Sequence, residues 1–241
     1  DVMGDYYVMG NVVGRANGVF AGTNLFDGVY QPDSLIGTIT VSENMIMAGK
    51  VIVADPVRDY LYTSIATAMA DNYATQLGTR DTVRLGSSIV INRNLTVNQM
   101  SKPLVSDATT AGYLFSVGGT NVVDWRNGKI VSAAGNHFRV ADNATLKLTA
   151  MTDTAATTVA AVSAGGKLQV SECTFATTGS AAVVTLSDSS SADMDGVNIS
   201  GGSFGITIPA ASKARLDIDE QSVLNGFAGY TKPINADSYT H

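Results

Sequence analysis

A single cysteine, Cys173, in 241 residues leaves no partner for an intrachain disulfide and excludes a metal site built from thiolates. Two histidines, His137 and His241, lie far apart, and no Ser-His-Asp or Cys-His arrangement surrounds either. No phosphate-loop, dinucleotide or zinc-type spacing is present. Charged residues make up only 15% of the chain and leave a net charge of −6, a sign that disfavours general binding to nucleic acid or to an anionic membrane. No apolar run reaches the roughly 18 residues of a membrane span. The chain opens at Asp1 with no signal-like segment, the pattern of a processed form or a fragment. What fills the space left by charge is Gly, Ser, Thr, Ala and Asn, a composition suited to dense turns in extracellular or virion β-structures.

Apolar residues, at 45%, are ample for a core, and they recur on a beat. Short apolar strands end at Val117, Val140, Val162, Leu186 and Ile208, with steps of 23, 22, 24 and 22. Second strands open at Val123, Leu146, Leu168, Ala192 and Leu216, with steps of 23, 22, 24 and 24. Beneath one another these read VDWRNGKI, LKLTAMTD, LQVSECTF, ADMDGVNI and LDIDEQSV. Positions one and three are apolar and position two is polar, so one face is buried and one is wet. Position eight is usually apolar again, at Ile130, Phe175, Ile199 and Val223. Repeats of this length with a strand period signal a solenoid, whose coils bury their apolar faces only against each other. Trp125, Leu148, Val170, Met194 and Ile218 are expected to form one interior column. Cys173, at position six with Met151 and Val197, reads as a buried small hydrophobe, and Trp125 as core rather than a sugar platform. His137 reads as a surface turn residue. The stretch between Met100 and Gly112, with Pro103, reads as a loop, while Asn92, Asn94, Asn121, Asn143 and Asn198 fall at turns or strand edges.

The segment Gly166 to Phe175, GKLQVSECTF, resembles a coil of the pectin-lyase-like right-handed β-helix family. The residues before the repeats resemble the capped start of such helices: a short amphipathic helix over Ser64 to Ala74, then Asp81-Thr-Val-Arg-Leu-Gly, then Ile89-Val-Ile-Asn-Arg-Asn-Leu-Thr-Val97. The resemblance spans about residues 64 to 230. Together, repeat and resemblance predict an all-β chain: a right-handed parallel β-helix of about six short coils, an N-terminal capping helix and a small irregular β arm. The helix places Ile65, Ala68 and Met69, with Tyr73, on one apolar side, suited to covering the open end of the stack. Residues 1–60 are assigned to the arm and a small β region around Ile36–Val41 and Lys50–Ala54, and residues 61–241 to the β-helix. The Gly-rich arm shows no sustained period, so its aromatics Tyr6, Tyr7, Phe20, Phe26 and Tyr30 either anchor it on a partner or another copy, or pack on its own helix. Phe227 and Tyr230 are available to cover the far end, and the tail from Ala236 is polar.

With the coils in register, Asp217 lies over Asp193 and Asp219 over Asp195, with Glu220 alongside. All four aspartates alternate with inward residues and so point outward. Such a cluster can be a solvated face offset by Lys213 and Arg215, a Ca2+ site of oxygen ligands, or an acid–base pair for glycoside cleavage. The family's lyases pair a calcium-binding acidic cluster with a basic residue; Arg215 and Arg126 are the candidates here, and no catalytic residue carries over. No cofactor other than such a Ca2+ is expected. The layout of arm followed by solenoid resembles tailed-phage spike, head-fibre and decoration proteins. It implies a non-enzymatic virion-surface or extracellular protein that forms a homotrimer and attaches to capsid or tail proteins through its N-terminal region, with a host-surface glycan as a further partner. The alternatives are a tail-spike-type hydrolase or lyase of polysaccharide, and a bacterial adhesin.

Overall fold

The structure, a computed structural model, describes residues 53–57, 60–62, 64–79, 82–106, 112–132, 135–225 and 234–236, and the backbone of seven short strands within 2–41. The chain divides into two compact units, Asp1–Val83 and Arg84–His241.

The second unit is a parallel β-solenoid of about six turns. Its first ladder runs through Ile89–Ile91, Tyr113–Val117, Asn136–Val140, Ala160–Val162, Val184–Leu186, Ile206–Ile208 and Ile234–Ala236. Five of these strands end on the residues that mark the repeat. The second ladder stacks Leu95–Asn98, the first halves of the long strands Val122–Ser132 and Thr145–Ala155, then Lys167–Ser171, Ser191–Asp195 and Arg215–Ile218. The third ladder stacks Pro103–Ser106, the second halves of the same long strands, then Thr174–Thr177, Asn198–Gly201 and Val223–Asn225. All these pairings are parallel, with strands about 4.8 Å apart.

Register produces the core. Trp125 pairs with Leu148, Leu148 with Val170, Val170 with Met194 and Met194 with Ile218. The first four are buried and Ile218, on the last coil, is half-buried. Trp125 is an interior residue: its ring meets Phe115 and Phe138 edge-on, with centroids 4.6 and 5.5 Å apart. Its Nε1 donates to Gln99 Oε1 at 2.9 Å, and the Gln99 amide in turn donates to the carbonyls of Lys102 and Lys129. Cys173 is buried as expected, donating to the Ser171 carbonyl and accepting from Met151 N–H.

The corner between the second and third ladders turns on one left-handed residue per coil. Asn127, Ala150, Glu172 and Gly196 occupy equivalent places with φ of 54°, 51°, 54° and 60°. Asn and Gly accept this conformation readily, whereas Ala and Glu hold it at a cost. The corner of the last coil carries one more residue. Ile199 therefore faces Leu224, and Val223 is turned out with 47% exposure. Reading Val223 as the inward residue is corrected by this one-residue slip, which reverses the faces of a strand.

Two more expectations change. Pro103 is not in a loop: it opens a strand paired with Lys129–Ser132, a place where its missing N–H interrupts no ladder. His137 is not on the surface. It lies in the strand Asn136–Val140, fully buried, in step with Leu114 of the coil before.

In the first unit, Val53–Asp55 pairs antiparallel with Tyr60–Tyr62 on one side and Gln76–Thr79 on the other. The helix spans Ile65–Ala70, and Ser64 Oγ caps it by accepting from Thr67 N–H at 3.0 Å. Ile65, Ala68 and Met69 are its buried side, and within this unit it packs on the first two strands. Tyr73 lies beyond the helix with 80% exposure and does not join the stripe. In the arm, Val2 pairs with Phe20, Tyr6 with Asn24 and Val12 with Tyr30, all parallel and all 18 residues apart. This period is shorter than that of the repeats and was not read from the sequence. The side chains of Tyr6, Tyr7, Phe20, Phe26 and Tyr30 lie outside the described residues, as do Phe227 and Tyr230.

Candidate functional site on the second ladder

The outward residues of the second ladder form two polar columns, because strand alternation that buries Leu148 and Val170 must turn their neighbours to solvent. One column is Asp124, Lys147, Gln169, Asp193 and Asp217, each in register with the next. The other is Arg126, Thr149, Ser171 and Asp195. Between them, Lys147, Thr149, Gln169, Ser171, Asp193 and Asp195 line a shallow groove of ≈ 220 Å³.

The expected acidic stacking is present. Asp193 and Asp217 are register partners, and both are exposed. Arg215 Nη2 lies 3.4 Å from Asp217 Oδ2, an exposed pair of little energetic weight. Asp195 and Asp219 lie on adjacent coils, close enough for their carboxylates to influence one another. Asp219 accepts from Ser222 Oγ and from Gly196 N–H at 3.1 Å. These donors split the two groups. The Ser222 hydroxyl, with the Gly196 amide, holds Asp219 below the usual carboxylate range. Asp195 is pushed above that range, first by the neighbouring Asp219 carboxylate, then by the charges of Glu172 and Asp193. Glu220 is exposed on the turn that follows.

Glu172, directly after Ser171 of the second column, was missed because it stands at the corner rather than at a strand position; its backbone N–H donates to the Asp195 carbonyl at 2.9 Å. Lys147, Gln169 and Ser171 were also missed as site residues, although their wet positions in the repeat were legible. Arg126 is held by Asp124 in the same strand, and its guanidinium titrates above its ordinary value because of that bond. It is thereby tied to the edge of the face rather than to the acidic pair.

Chemically, Asp193 and Asp217 sit one strand spacing of about 4.8 Å apart along the ladder, and Asp195 and Asp219 likewise belong to adjacent coils. Among the described residues, no group of three or more His, Cys, Asp or Glu side chains is arranged to hold a metal ion. The face instead offers a strip of amide, hydroxyl, ammonium and carboxylate groups across adjacent coils, all open to water. The chain matches no family model, no curated protein and no solved structure. The parallel β-solenoid of about six turns is consistent with a pectin-lyase-like β-helix. Among the described residues no helix is long and apolar enough to cross a membrane.

Proposed function

We propose that this chain is a structural surface protein, of the kind that tailed bacteriophages carry as head fibres, capsid decorations or tail-spike components, with the solenoid presented outward and the N-terminal region used for attachment to capsid or tail proteins. The observation that carries this reading is the outer face of the second ladder: a regular polar strip with only a shallow groove. Among the described residues, the corners that flank this ladder are short and raise no walls around it, as a polysaccharide-cleaving site would need. Such a strip suits repeated hydrogen bonding to a host-surface glycan without turnover. Assembly as a homotrimer would give side-by-side solenoids and a common base for the three arms.

Native mass measurement of the full chain tests the assembly, with three copies expected and a monomer counting against it. Labelling with antibody on intact particles, imaged by electron microscopy, tests the location. An enzymatic reading is favoured by one observation, the two carboxylates of Asp193 and Asp195 bordering the groove. Incubation with bacterial capsule or lipopolysaccharide separates the two. Unchanged polymer length is expected, and shortening that disappears in Asp195→Asn would establish the hydrolase or lyase instead.

A further inference from the structure

The interior of the solenoid holds one pair of groups that the polar face does not use. Asp153 occupies the inward column of the third ladder, between Ile130 and Phe175 and in line with Leu104 and Ile199. His137 occupies the inward edge of the first ladder. Each side chain is at most 1% exposed, and His137 Nδ1 is hydrogen-bonded to Asp153 Oδ1. The remaining polar atoms, His137 Nε2 and Asp153 Oδ2, are buried without a partner. Repeat logic would place apolar side chains at both positions, so the pair departs from the pattern twice, at two points that meet.

We propose that His137 and Asp153 form a buried pH-sensing pair, which retains a single shared proton inside the stack and confines the solenoid's greatest stability to mildly acidic solution. With one proton the pair is neutral overall, whichever atom carries it. A second proton would leave a net positive charge in an apolar interior, and loss of the proton a net negative one. Neither charge has a partner, because Nε2 and Oδ2 face no donor or acceptor. Burial pushes the Asp153 carboxyl above the ordinary range, with His137 opposing, which agrees with a proton held in the folded state. Among the described residues, the other titratable group that feels the pair is Cys173, and burial pushes its thiol up to about 11, so it stays neutral over the range concerned. Arg139 and Glu172, the charged side chains nearest in the chain to His137 and Cys173, are exposed and point away from the interior.

The unfolded chain sets the window. Its aspartate and histidine bind two protons below about pH 4, one between about 4 and 6.5, and none above. Against a folded pair that binds one throughout, stability rises with pH below that window, is level within it, and falls above it. Urea unfolding of the full chain from pH 3 to 9, set against His137→Leu/Asp153→Leu, reads this directly. The wild-type unfolding constant relative to the double variant should change by up to about tenfold per pH unit on either side of the window. Parallel profiles would overturn the proposal. If the double variant fails to fold, ring nitrogen NMR of the unaltered protein decides, since only His137 and His241 contribute. The His137 signals should hold still from pH 5 to 8 while those of His241 move. Two histidines titrating together would equally overturn it.

Discussion

At the scale of single residues, Gln99, Gly128 and Trp125 show how one absent side chain allows a buried network. Gln99 is fully buried, and its amide meets all its bonding demands inside the first coils: Trp125 Nε1 donates to it, and it donates to two backbone carbonyls. It lies over Gly128, where a Cβ would collide with its side chain. Gly128→Ala is expected to displace Gln99 and leave the indole N–H unpaired, a loss of about 1–3 kcal/mol. Denaturant unfolding with tryptophan fluorescence measures it, because Trp125 is the only tryptophan. The acidic pair makes a second prediction at this scale. Carbon-detected NMR should find Asp195 titrating above Asp219, the order set by the Ser222 and Gly196 donors on Asp219. In Asp219→Asn the repulsion is gone, and Asp195 should move down towards the usual carboxylate range. The low Asp219 value supports folding above the ordinary carboxylate range and loses that support as pH falls. Serine 222 is the lever, so Ser222→Ala should raise Asp219.

The elements are ladders rather than single strands, and their behaviour follows from stacking. Leu148 is buried between Trp125 and Val170. Leu148→Ala should cost about 2–5 kcal/mol, since a stack with neighbours above and below cannot collapse around the hole. A change with no missing contact tests the corners. Gly196 holds φ 60° with no atom closer than 3.9 Å to an added Cβ, so Gly196→Ala isolates backbone strain. A loss of about 1 kcal/mol is expected in the same unfolding assay. No loss would mean that the left-handed column at Asn127, Ala150, Glu172 and Gly196 is not under strain.

For the solenoid as a whole, neighbour-only contacts imply that coils are interchangeable units. Phe138 pairs with Ala160 and Ala160 with Val184, so removing residues 160–183 would let Phe138 face Val184 with every ladder kept in phase. The shortened chain should retain its β circular dichroism and unfold at lower denaturant; loss of the β signal would show coupling beyond adjacent coils. The stacking itself was legible in the residues, because a period of 22 to 24 with inward apolar positions has no other way to bury Leu146, Leu168 and Ala192 than on one another. The strand ends, the interior column and the outward aspartates all follow from that alternation, which is local and survives in one dimension. What alternation cannot carry is which corner gains a residue, which small residue turns left-handed, and which side chains meet across the interior. Val223 turned outward for the first reason, and Pro103 joined a ladder because a neighbouring strand was there to receive it. His137 and Asp153 stand 16 positions apart and belong to different ladders. Only closure of the coil sets one against the other and removes both from water, so their shared proton is a property of the folded interior alone.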